Sequence, residues 1–424
     1  MQDKATLAEQ EELNAEAGGS TPSVKIGLIV NILSTLLAAT SMGMLAVLVP
    51  VHLTSLEFSD SSIGTALSFE SIASLVICLL IPNILRKIGL PIGLLLSTLM
   101  RVPTVMLFPY ASGLDVLIPA IFIHAAGCYS LLVLLQIWVN SIPFEKNKGL
   151  MIALYSTSIS VGFALGPVII NYLSANAADY SAFSNSVLAV TTEFFGHEPR
   201  TESGLQFVVA ALISLLSIIP IVLFVPLVPR VSFSGKAKIF KTVLENKGAM
   251  FSICMAGVSQ FGVGAFITIY GLKNGLSIAD SALLLTSFML GSLILEVPIA
   301  WLSDYFDRRY FIVWCSFACM ICAVCLPIAI YVPIQAWILV FIWGGVIAGI
   351  YSVSLTMIGE KYDTDDEMIA SNAGYSLMES IGGTFGIIII GFSMQFLGTD
   401  GMPYTIMLAS VLYFSFALTR YRID

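Results

Sequence analysis

Residues 155–170 read YSTSISVGFALGPVII, and residues 375–390 read YSLMESIGGTFGIIII. At a constant offset of 220 residues the two share an opening Tyr-Ser, then a serine, then glycines four residues apart, then a pair of isoleucines. Both stretches are apolar, free of Lys and Arg, and carry small residues at i and i+4, the pattern of a helix packed closely on another inside a bilayer. The likeness extends outward from them. Leu56, Asp60 and Ser61 recur as Leu276, Asp280 and Ser281, and Gly127-x-Tyr129-Ser130 recurs as Gly349-x-Tyr351-Ser352 at an offset of 222. Matches in the same order at nearly one offset imply a chain built from two similar halves.

The composition places both halves in a membrane. Of 424 residues, 57% are hydrophobic and 11% are charged, against about 25% charged in an ordinary soluble domain. The net charge of -8 comes from two short segments: residues 1–16 hold five acids and Lys4, and residues 360–367 hold five acids and Lys361. No basic footprint for nucleic acid is left. The N-terminus is acidic and polar, without the basic region of a signal peptide, so a disordered cytosolic tail over 1–24 is expected.

Cutting at charged and turn-rich breaks gives twelve apolar segments, 25–50, 62–85, 91–111, 115–140, 150–173, 205–228, 248–272, 279–301, 310–331, 334–358, 368–395 and 402–419, numbered here as spans 1 to 12. With the N-terminus inside, the inner segments hold sixteen Lys and Arg residues and the outer ones only Arg200 and Lys273. That asymmetry predicts a multi-pass membrane protein with both termini cytoplasmic; the expected membrane, by the family resemblance described below, is the bacterial inner membrane. The expected organisation is an N-terminal six-helix half over 25–228, a cytosolic basic linker over 229–247, a C-terminal half over 248–419 and a cytosolic end at 420–424.

Ala300-Trp-Leu-Ser-Asp304-Tyr-Phe-Asp307-Arg308-Arg309, between spans 8 and 9, resembles the cytoplasmic G-x-x-x-D-R-x-G-R motif of major facilitator superfamily transporters. Its first-half copy is reduced to Arg86-Lys87-Ile88-Gly89. Gly162-Phe-Ala-Leu-Gly166-Pro167 resembles the core of the fifth-span motif associated with antiporters in that family. Gln136-Ile-Trp138-Val-Asn140, Gly149, Tyr155 and the stretch from Asn372 to Gly386 look most like its YcaD-like bacterial branch. The resemblance implies an all-α fold of twelve transmembrane helices in two six-helix pseudo-repeats. It further implies that Asp304 and Arg308, with Arg309 and Glu296 nearby, form a cytoplasmic gate, and that spans 1, 4 and 7 face the solute. Asn31, Gln136, Asn140 and Gln260 are the neutral polar cavity candidates on those spans. Gly162, Gly166, Pro167, Gly382 and Gly386 are expected to set helix packing.

Ionisable groups inside a span cost about 2.5–3.5 kcal/mol each on insertion scales, so each is a functional candidate. Glu70 and His124 fall ~12 Å below the outer surface and Arg101 ~15 Å above the inner one, at a rise of about 1.5 Å per residue. The depths coincide, which suggests a Glu70/Arg101 pair read by His124, either as a proton-coupled polar site or as a static packing pair. Glu379 precedes Gly382 and Gly386 by three and seven residues and shares their helical face. Its repeat mate is the apolar Ile159, so the acid reads as function added to one half, with a helix-bridging hydrogen bond as the alternative. Glu296 lies near the cytosol, where a salt bridge to Arg308/Arg309 competes with a gating role.

Cys315, Cys319, Cys322 and Cys325 line one face of span 9, without a nearby His, and are expected to pack rather than bind metal. Asp363-Thr-Asp365-Asp366-Glu367 lacks the spacing and glycine of a calcium loop. No P-loop, serine elbow or zincin motif is present. The expected protein is a non-enzymatic secondary transporter. It moves a small organic solute by alternating access, without a cofactor, as a monomer in the lipid bilayer, driven by a proton or other ion gradient. Proton-coupled antiport and export follow from the fifth-span resemblance. Proton-linked uptake of an organic anion, or a transport-inactive scaffold or sensor on the same fold, are the alternatives.

Overall fold

A computed structural model describes residues 22–141, 148–176, 179–201, 203–228, 243–303, 305–359 and 365–420. Eleven of its helices are long and apolar enough to cross a bilayer, and a twelfth, shorter apolar helix runs over Gly401–Phe416. No strand occurs among the described residues. The protein is therefore an all-α, multi-pass membrane protein. The tail before residue 22, residues 229–242 of the linker, Asp304 and residues 421–424 lie outside the described residues.

The helices follow the apolar runs closely. Span 1 is Pro22–Ser55, spans 2 and 3 share Asp60–Leu107, span 4 is Leu114–Asn140 and span 5 is Lys148–Ala175. Spans 2 and 3 meet at Gly89, whose φ of 74° is the left-handed conformation that a side chain disfavours. Span 6 is broken into Gly204–Leu216 and Ile219–Leu223, because Pro220 cannot donate a backbone hydrogen bond to continue the helix. In the second half come Lys247–Lys273, Ile278–Ser303, Arg308–Ala329, Pro333–Gly359, Asp365–Leu397 and Gly401–Arg420, spans 7 to 12. Asp307 accepts a hydrogen bond from the Arg309 N–H at 2.9 Å and so caps span 9.

A helix that the apolar pattern does not foreshadow, Ser181–Phe195, lies in the connection between spans 5 and 6. An even number of spans puts both termini at one end of the bundle. The opposite end, which carries residues 56–60, 110–114 and 273–278, is called the far end below.

The packing repeats between the halves. Span 1 packs on span 5 and span 7 on span 11, while across the halves span 2 packs on span 11 and span 5 on span 8. Tyr155 of span 5 donates its hydroxyl to the Leu132 carbonyl of span 4 at 2.6 Å, and its repeat mate Tyr375 of span 11 donates to the Tyr351 carbonyl of span 10 at 2.5 Å. Gly162 and Gly166 sit against the backbone of span 1, and Gly382 and Gly386 against that of span 7. A methyl group at any of the four would collide with backbone atoms of the facing helix, so these helices approach as closely as small residues permit. Three of the four cysteines of span 9 pack in the core: Cys315, Cys319 and Cys322 are buried, and the Trp343 indole donates to the Cys319 sulfur at 2.9 Å, while Cys325 is half-buried. Among the described residues no cluster of three potential metal ligands exists.

Candidate functional site

Span 2 meets span 11 along its length, and two contacts define the seam. At the far end Lys273 of span 7 donates to both oxygens of Asp60, at 2.5 and 2.6 Å. Just below, Gly64 lies against the Ile387 carbonyl and the Gly391 Cα of span 11. Fourteen residues along span 2 from Asp60, about 21 Å at a helical rise, Ser380 donates to Ser74 at 3.3 Å across the halves. Glu70, Ser74 and Cys78 recur every four residues, so they share one face of span 2, the face turned to the C-terminal half.

Glu379, adjacent to Ser380, completes this region from the other side. Its backbone carbonyl abuts Gly257 of span 7. Its carboxylate acts through space on Cys78 of span 2, Tyr129 of span 4 and Tyr351 of span 10. Glu70 also acts on Tyr129, so one phenol stands within electrostatic reach of acids from both halves. Both residues are half-buried. Neither has a hydrogen bond or ion pair among the described residues. Each such acid inside a bilayer must bind a proton, a cation or a hydrogen-bond donor to lower its cost. Tyr129 and Tyr351 are repeat mates that entered the sequence reading only as markers of duplication. The four-residue spacing of Glu70, Ser74 and Cys78 was a signal available in the sequence for tying Glu70 to the seam.

The expected Glu70/Arg101 ion pair does not form in this structure. Arg101 is fully buried, donates one guanidinium N–H to the Ala38 carbonyl of span 1 at 3.1 Å, and leaves Nε and Nη1 without a partner among the described residues. Its stem rests on Gly127, where a Cβ would crowd the Arg101 Cγ and the Ser97 carbonyl. His124 senses Arg101 but not Glu70: its Nδ1 lies 3.3 Å from Thr104 Oγ1, its Nε2 3.2 Å from the Cys128 sulfur, and of the two charges only that of Arg101 acts on its ring. Arg101 and Glu70 remain neighbours, since both act on the Cys128 thiol through space. The depths matched as expected, but depth along a helix does not fix the rotation about its axis.

Other candidates divide. Asn31 is fully buried, donates to the Leu135 carbonyl at 2.9 Å and lies 3.5 Å from the Thr35 hydroxyl, so in this conformation it bridges spans 1 and 4 rather than facing a cavity. Gln136 and Asn140 are exposed and Gln260 is half-buried. Glu296 accepts a hydrogen bond from Ser352 of span 10, a tie between neighbouring helices of one half. Arg308 is half-buried and Arg309 exposed at the start of span 9. The Asp60–Lys273 bridge escaped the sequence reading because its partners are 213 residues apart. The signal available was that Lys273 is one of only two basic residues at that end.

Comparisons with known proteins agree with this architecture. The family model of the Major Facilitator Superfamily matches residues 32–273 and 249–423. A protein of Bacillus subtilis (strain 168), described as the uncharacterized MFS-type transporter YfkF, is 25% identical over 291 residues, which covers 65% of this chain. The chain spans 66% of the length of that curated relative. Among solved structures, a bacterial homolog of the human lysosomal transporter Spinster superposes with a TM-score of 0.73 at 14% identity, covering 95% of this chain and 98% of that one. The nucleoside transporter NupG gives 0.72 at 12% identity, covering 93% and 99%. At such identities the likeness is one of fold, two six-helix halves meeting at a central seam. The matched family model runs through both halves of the sequence, and the chain belongs to the Major Facilitator Superfamily.

Proposed function

We propose that the protein is a secondary active transporter that moves a small organic solute by alternating access, in exchange for protons bound at Glu379 and Glu70. The observation that carries this reading is the Ser74–Ser380 contact across the halves, with Glu70 one turn from Ser74 and Glu379 next to Ser380, and neither acid with a hydrogen bond or ion pair among the described residues. A protonatable group in that place senses both the solute and the relative position of the halves. Closure at Asp60–Lys273, Gly64–Gly391 and Ser74–Ser380 fits an arrangement sealed at the far end. With the sixteen-to-two distribution of Lys and Arg, the far end is periplasmic, the termini are cytoplasmic and the conformation is inward-facing. The motif resemblance around Gly162 and Gly166 favours antiport and hence export. A monomer in the inner membrane, of the YcaD-like branch and without enzymatic activity or cofactor, completes the reading.

Uptake of an organic anion around Arg101 is less well supported, because Arg101 is enclosed by spans 1, 3 and 4 and shows no exposed surface. Counterflow of labelled amino acids, organic acids, sugars, nucleosides and organic cations into proteoliposomes tests the reading. Exchange of any one of them identifies a transporter. Silence across the panel by folded protein favours the scaffold.

A further inference from the structure

The helix Ser181–Phe195 has 15 residues, about 22 Å at a helical rise and too short for a ~30 Å hydrocarbon core. It is nevertheless tied to the bundle. Phe195 stacks on Tyr110 at the far end of span 3, with ring centroids 4.2 Å apart. The Tyr110 hydroxyl donates to Thr191 at 2.5 Å, and Leu188 packs on Gly204, the first residue of span 6. After the helix, Gly196 turns the chain at φ 78° and the Arg200 N–H donates to the Pro109 carbonyl at 2.7 Å. Leu188, Thr191 and Phe195 therefore form its bundle-facing stripe.

Two further stripes flank that one. Asn185, Ala189 and Glu193 recur every four residues and are exposed, a polar side suited to water. On the other side Val187, Val190 and Phe194 fall at i, i+3 and i+7. Val190 is 68% exposed and Phe194 83% exposed. A helix divided into bundle, water and apolar sectors has the form of one lying in a membrane interface at the edge of a protein.

The apolar sector is continuous with an exposed apolar stripe of the bundle. On span 5, Leu165, Val168 and Tyr172 form an exposed stripe at i, i+3 and i+7. Tyr172 at its end meets Tyr180, the N-cap residue of the short helix, with ring centroids 6.3 Å apart and hydroxyls 3.2 Å apart. Tyrosines at such a level match the aromatic belt of membrane proteins. Residues 179–200 hold three acids and one arginine, so attraction to anionic headgroups is not the source of the contact. We infer that Ser181–Phe195 is an interfacial anchor whose Val190/Phe194 edge inserts into the headgroup–acyl boundary of the leaflet at the far end. This inference does not depend on what the protein carries.

Quenching of an introduced tryptophan tests it, measured as the difference from the parent protein with its five tryptophans, in phosphatidylcholine vesicles. Phe194→Trp and Val190→Trp read the apolar edge and Asn185→Trp the polar one, each first shown to be monodisperse. Lipids brominated near the glycerol should quench the two edge variants about twofold or more above Asn185→Trp, and aqueous iodide should do the reverse. Equal iodide quenching of edge and polar variants would place the edge in water and overturn the inference. Loss of both quenchers' effect on the edge variants would mean cover by protein and would overturn it as well.

Discussion

Lys273 of the second half holds both carboxylate oxygens of Asp60 in the first, at 2.5 and 2.6 Å, with their side chains 32% and 10% exposed. The pair has no repeat counterpart. Asp280, the mate of Asp60, instead faces Ser277, which takes a hydrogen bond from its backbone N–H at 3.0 Å and donates to its carboxylate at 2.8 Å. The bridge thus closes one end of one seam, and a rocking motion of the halves has to break it. At about 1 kcal/mol for a partly exposed pair, Lys273→Ala or Asp60→Asn should raise the far-end-open population roughly fivefold. Cys78, beyond the Ser74–Ser380 contact, should then react correspondingly faster with a membrane-impermeant thiol reagent added from the far side. The exchange Asp60→Lys with Lys273→Asp should restore the slow rate, which a simple loss of folding would not.

Arg101 leads to a prediction about stability. A buried guanidinium with a single hydrogen bond and two nitrogens without one carries a desolvation cost that an apolar side chain of similar volume does not. Arg101→Met should therefore keep or raise the unfolding temperature in detergent, by scanning fluorimetry. A strongly lowered unfolding temperature would show that Arg101 holds the half together instead.

Gly382 and Gly386 support a third expectation. A Cβ at Gly382 would run into the Cys254 carbonyl of span 7, and one at Gly386 would lie within 3.0 Å of Val258 backbone atoms. Gly382→Val and Gly386→Val should destabilise by about 1–3 kcal/mol through overpacking. They should show as a lower unfolding temperature and a larger aggregated fraction on size exclusion. Gly264, with nothing within 4 Å of its position, supplies the control, since Gly264→Ala should be tolerated.

Much of this architecture was legible in the sequence, because twelve long apolar runs separated by charges leave few ways to cross a bilayer. The glycine pairs of spans 5 and 11 were legible for the same physical reason: small residues at i and i+4 serve little else in a membrane helix. The short helix Ser181–Phe195 was not, since its three narrow stripes give neither a long apolar run nor a simple two-sided pattern. Rotation about helix axes was also hidden. It turned Asn31 toward span 4 and kept Arg101 from an ion pair with Glu70. Contacts such as Asp60–Lys273 depend on how the two halves meet, which neither half's own pattern encodes.

The central claim is that Glu379 couples solute movement to protons. Its most direct test is the solute-evoked pH change inside proteoliposomes, with the wild type compared to Glu379→Gln and solute counterflow measured on the same vesicles. The account predicts that Glu379→Gln abolishes the pH change while counterflow persists, because exchange of solute for solute needs no proton step. A pH change of wild-type size in Glu379→Gln, with counterflow intact, would contradict it.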